Sequence, residues 1–152
     1  MYDMKLSKNF KLGEFLYSPL AIKNGIKNIP NEVHIANLKD LCVIMQDIRD
    51  YWGLPVTITS GYRCEELNKL VGGAKNSQHT KGQACDFIIK GVDNIVIVKA
   101  LKQLKEQGKI NYDQLILEPN WVHISYNDMN NRGEELTKTK KGYKIGFENI
   151  GE

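Results

Sequence analysis

The chain has 152 residues, enough for one domain with its own core. Its 41% hydrophobic and 26% charged residues form an ordinary globular balance that excludes general disorder. The net charge of +3 comes from interspersed basic and acidic residues, so there is no basic stripe and no nucleic-acid partner is expected. No run approaches the roughly 18 apolar residues of a spanning helix, so membrane insertion is not expected, and the expected state is a monomer.

The opening Met1-Tyr2-Asp3-Met4-Lys5-Leu6-Ser7-Lys8 is not followed by the apolar stretch of a signal peptide. The expectation is a protein that is cytoplasmic as synthesised and reaches any target outside by release or by another protein's delivery. Residues 12–21 read as a short helix broken near Pro19. From Asn31, a plausible N-cap, a long helix is expected, with Val33, Leu38, Leu41, Cys42, Met45, Ile48 and Trp52 as its apolar stripe and Gly53 after its end. Residues 56–59 read as a strand and 65–71 as a short helix closed by Gly72-Gly73. A polar loop over 74–82 leads to a strand at 84–89, and 93–107 reads as an amphipathic helix ending at Gly108. Two β-rich runs, 114–118 and 121–126, flank Pro119-Asn120 as a hairpin. The tail from about residue 127 is polar, with one strand at 143–147. Helices first and strands gathered later predict an α+β fold with a small antiparallel sheet, in one domain over 1–152.

Three histidines are present. His34, near the start of the long helix, has no partner at ligand spacing and reads as a surface or half-buried residue. His79 lies in the polar loop, Asp86 follows in a strand, and His123 lies in the second arm of the hairpin. Two histidines and one carboxylate are a donor set that catalytic zinc takes, with a further position left for water. Strand alternation places Cys85, Phe87 and Ile89 on one face and Asp86 on the other. It likewise sets Val122 and Ile124 against Trp121, His123 and Ser125. The same parity argues against Cys85 as a ligand, and the three cysteines, which lack CxxC spacing, read as reduced thiols. By spacing alone the metal reading stays open, since a histidine in a strand is more often structural.

A two-residue turn at Pro119-Asn120 would pair Glu118 with Trp121, Leu117 with Val122 and Ile116 with His123. Glu118 then projects on the His123 face, displaced along the ladder. It reads either as a carboxylate serving water at the site or as a solvated glutamate at a hairpin end.

Ser60-Gly61-Tyr62-Arg63, Leu67-Asn68, Val71-Gly72-Gly73, Ser77-Gln78-His79, Gly82, Ala84, Asp86 and Trp121-Val122-His123-Ile124-Ser125 carry a compound pattern in order and spacing. This pattern resembles the zinc D-alanyl-D-alanine carboxypeptidase and L-alanyl-D-glutamate endopeptidase family, and more closely its small phage-type, endolysin-like members. The segment 9–15, Asn-Phe-Lys-Leu-Gly-Glu-Phe, resembles that family's N-terminal region. The resemblance covers roughly residues 9–126 and implies the family's D-Ala-D-Ala carboxypeptidase/hedgehog-like fold. It further implies Zn2+ held by His79, Asp86 and His123, and Arg63 as the group that holds substrate and stabilises developing charge. The implied substrate is the peptide part of bacterial peptidoglycan.

The family's usual acid, three positions before the last histidine, is replaced here by Asn120. Glu118 therefore becomes the expected general base, with Asp113 next in line. Ser77 and Gln78 are expected to orient His79 or touch substrate. Trp121 is expected to wall the cleft or to pack half-buried beside it. The contrasting expectation is a non-catalytic murein-binding or virion structural module.

Overall fold

The computed structural model describes residues 1–150. Two short helices open the chain, α1 (Leu12–Leu16) and α2 (Pro19–Lys23), with Pro19 at the start of the second and the Ser18 hydroxyl accepting from the Ala21 N–H. The long helix α3 (Glu32–Trp52) begins where the Asn31 side chain accepts from the His34 N–H and His34 Nδ1 accepts from the Asn31 N–H. This is a reciprocal cap with histidine in the place usually held by glutamate. Gly53 ends the helix at φ 61°, a left-handed conformation that glycine adopts without strain. The buried stripe is Leu38, Leu41, Cys42, Ile44, Met45 and Ile48. Val33 does not belong to it: in the first turn it points outward and is 66% exposed.

After α3 come β1 (Thr57–Ser60), α4 (Glu65–Leu70), a 3-10 turn at Gln78–Lys81 inside the expected loop, and β2 (Ala84–Ile88). Then follow α5 (Asn94–Glu106), β3 (Gln114–Leu117), β4 (Val122–Ser125), β5 (Glu134–Thr139) and β6 (Gly142–Ile145). The architecture is α+β, with one six-stranded sheet in the order β1-β2-β4-β3-β5-β6. The antiparallel sheet expected from sequence is corrected in one place, because β5 runs parallel to β3. The tail thus supplies two strands where one was expected.

One face of the sheet packs on the helices. Cys85, Phe87, Leu115, Leu117, Val122 and Ile124 join α1, α3 and α5 in a single core. Burying side chains of this size removes about 1.5–3 kcal/mol of apolar exposure each, which is what holds helices to sheet. The other face carries a row in register across all six strands: Ser60, Asp86, His123, Ile116, Leu136 and Ile145. Its middle members, Asp86, His123, Ile116 and Leu136, line the site.

Candidate metal centre and active site

Asp86 and His123 are direct partners on β2 and β4, so strand pairing alone brings them together. His79 reaches them from the 3-10 turn. Their ligand atoms all lie within 4.8 Å of one another. His123 Nδ1 is 2.9 Å from Asp86 Oδ1, and His79 Nε2 is 3.4 Å from the same oxygen. His79 Nδ1 donates to the Gly61 carbonyl at 2.7 Å. That bond fixes the ring and leaves Nε2 as the nitrogen facing the group, the usual outer support of a metal-binding histidine. The Ser77 hydroxyl accepts from the His79 N–H and starts the turn. Two imidazole nitrogens and a carboxylate oxygen, mutually close and largely buried, fit a divalent transition metal.

The Ser60–Arg63 turn works as a unit. Arg63 Nε donates to the Ser60 hydroxyl and Nη1 to Asn68 Oδ1, and Nη2 stands 3.7 Å from Asp86 Oδ2. Asn68 is itself buried and anchored to the Ala74 carbonyl. Gly61 is required by space, since a Cβ there would sit 2.5 Å from the Phe15 carbonyl oxygen. Gly82 has φ +72° and lies so close to α3 that a Cβ would come within 2.5 Å of the His34 carbonyl oxygen. His34 itself packs its ring against Tyr62 at 4.6 Å and takes no part in the metal group.

Electrostatics follow from burial and pairing. Burial opposes ionisation of Asp86, but the hydrogen bond with His123 and the close approach of His79 outweigh it and hold the carboxyl well below the usual range. Burial lowers His79, with Asp86 acting in opposition. Burial also lowers Arg63. Glu118 is pushed up, first by burial and then by the Asp86 charge. A carboxyl moved in that direction is better suited to exchanging protons near neutral pH.

The hairpin has the expected register: Ile116 faces His123, Leu117 faces Val122, and the Glu118 N–H donates to the Trp121 carbonyl at 3.1 Å. Arg63, Ser77, Gln78, His79, Asp86, Glu118, Trp121 and His123 all line one cleft of about 660 Å³. A second hollow of about 570 Å³, walled by α2, β1 and α4, meets the first at Arg63, Gly73, Asp86 and Trp121. Of the metal-capable group, Asp86 lines both hollows, while His79 and His123 line the first. Gln78 donates to Asp113 Oδ2 at 2.9 Å.

Asp113 does not suit the role of reserve base. It is 3% exposed, both its oxygens are engaged by Arg132 and Gln78, and it does not line the cleft. Sequence reasoning missed Arg132, Glu134, Leu136 and Tyr143, which form the far wall. Their signal is the alternation within Glu134–Thr139 and Gly142–Ile145, muted because it is mostly polar. All three cysteines are free thiols, and the buried Cys85 lies against Met45 rather than the metal group.

The chain is similar to the peptidoglycan L,D-endopeptidase MepK of Escherichia coli K12 and to its Shigella flexneri counterpart, each 40% identical over 75 residues. The match takes in 46% of this chain and 39% of the relative, so it spans about two fifths of the curated proteins' length. The sequence pattern of the Peptidase M15 family matches residues 8–125, which hold every residue of the metal group and of the turn that supports it. The chain belongs to the peptidase M15 family.

Proposed function

We propose that this protein is a zinc-dependent peptidase that hydrolyses peptide bonds in bacterial cell-wall murein, cutting within stem peptides or cross-links. The observation that carries the reading is the convergence of His79, Asp86 and His123 in one cleft that Glu118 and Arg63 also line. Bound by these three residues, zinc would supply Lewis acidity, polarising a carbonyl oxygen and drawing the pKa of a water towards neutrality.

Glu118 takes the proton of the water that attacks the scissile carbonyl and returns it to the departing amine nitrogen. Arg63, pinned by Ser60 and Asn68, donates to the oxygen on which negative charge develops. Trp121 bounds the cleft where the two hollows meet. An endopeptidase needs room for chain on both sides of the bond; the two adjoining hollows and the similarity to an L,D-endopeptidase support that reading. Arrival at the wall by release from the cytoplasm or by another protein's delivery, in the manner of a phage lysis enzyme, is part of this proposal. Among the described residues no helix is long and apolar enough to cross a membrane.

The test is digestion of purified murein followed by mass spectrometry. New termini at an internal stem-peptide or cross-link bond are expected, abolished by a chelator and restored by zinc. Release of terminal D-alanine alone would make the enzyme a carboxypeptidase. Zinc binding without any cleavage would leave a murein-binding or virion structural module.

A further inference from the structure

The far wall of the cleft carries two opposite charges held by different partners. Asp113 receives three bonds from Arg132: from the backbone N–H at 2.9 Å, from Nε at 2.8 Å and from Nη2 at 3.0 Å. This fixes the guanidinium by one edge, while its side chain remains 51% exposed and lines the cleft. Two residues on, Glu134 opens β5 opposite Gln114 and accepts from Gln114 Nε2 at 2.5 Å through Oε1. Its backbone N–H is tied to the Asp113 carbonyl at 2.9 Å. Arg132 forms its ion pair with Asp113 and none with Glu134, so the two charges do not neutralise each other by direct contact. Each is held from one side, and both residues line the cleft that holds His79, Asp86 and His123.

A ligand with only a carboxylate would meet Arg132 but be repelled by Glu134, and a ligand with only an amine would meet the reverse. A group bearing both signs on one carbon pairs with both. We propose that Arg132 and Glu134 form a subsite for a zwitterionic amino-acid head group of the substrate, such as the free end of a diamino-dicarboxylic residue. The proposal rests on the reading of the cleft as a murein-peptide site. The subsite lies beyond residues 8–125, in the tail rather than in the part shared with the family pattern.

Three synthetic murein-type peptides test it, identical except at a diamino-dicarboxylic side chain: free, N-acetylated, or carboxyl-amidated. For the parent enzyme each modification is expected to raise KM roughly fivefold with little change in kcat. Glu134→Gln should become indifferent to acetylation while still sensing amidation. Arg132→Gln should show the opposite pattern, with its melting followed in parallel because Arg132 also holds the tail. Glu134→Gln leaves the Asp113 clasp intact, so it carries the test if Arg132→Gln unfolds. Sensitivity to acetylation that persists in Glu134→Gln, or a parent indifferent to both modifications, would overturn the subsite. Were the parent to cut none of the peptides, the same three would be titrated into isotopically labelled protein. Shifts of the Gln114 and Glu134 amide resonances with the free peptide but not the acetylated one would keep the subsite while removing the peptidase reading. No shift would remove the subsite.

Discussion

Glu118 and Asp113 are both carboxylates near the cleft, and their surroundings separate them. Glu118 lines the cleft and is raised by burial, whereas Asp113 is saturated by Arg132 and Gln78 and held below its ordinary range, chiefly by the Arg132 side-chain bond. With equal zinc loading, Glu118→Gln is therefore expected to keep the fold and lose about 10²–10⁴ in turnover, read by steady-state murein cleavage. Asn120→Ala should act only mildly, through the turn. A zinc-loaded Glu118→Gln that cuts at the parent rate would remove Glu118 as the base. Gly61 offers a second test. A methyl group there must push Gly61 away from the Phe15 backbone, and with it the Gly61 carbonyl that orients His79. Gly61→Ala is expected to weaken metal affinity about 10–100-fold, measured by competition with a chromogenic chelator, a size typical of lost outer support.

At the scale of elements, the tail is held by a clasp. Arg132 and Asp113 join the loop before β5 to the start of β3, and Tyr112 donates to the Glu135 carboxylate beside it. Because the folded carboxyl of Asp113 is depressed, its contribution is fully present above the unfolded carboxyl pKa of about 3.9 and is lost as pH falls through the folded value. Asp113→Asn should thus be less stable than the parent by about 1–3 kcal/mol at neutral pH in chemical denaturation, and the difference should vanish in strong acid. A gap that stays constant with pH would deny the charge a role.

The element most easily read from sequence was α3, whose cap, closing glycine and, Val33 apart, apolar stripe agree. The hairpin register was equally legible, because a two-residue turn leaves little choice. What escaped was β5. Its Glu134, Leu136 and Lys138 take the cleft-side parity of Gln114, Ile116 and Glu118, while Glu135 and Thr137 turn the other way and are satisfied by Tyr112 and Gly146. With Leu136 its one apolar residue, the strand shows little of the apolar alternation by which strands are found. The cleft wall escaped with it.

For the whole molecule, the metal group joins parts distant in sequence: the 3-10 turn, β2 and β4. A ligand that binds only the folded state adds stability of about 2.7 kcal/mol at a hundred times its dissociation constant. Zinc should therefore raise the melting temperature of the parent in a calorimetric scan, and His123→Ala should lose most of that rise together with its bound metal. Full retention of zinc in His123→Ala would take His123 out of the site. The parallel β3–β5 pairing has a consequence for how the protein comes into being. β3 is an interior strand only once residues 134–137 lie beside it. On the ribosome those residues emerge after the entire metal group, so a nascent chain that has reached Ser125 can bring its ligands together yet still shows an unpaired strand edge where the cleft wall belongs. Shortening the gene to the family-matched segment would freeze that half-made state, with the open edge inviting another chain to pair there.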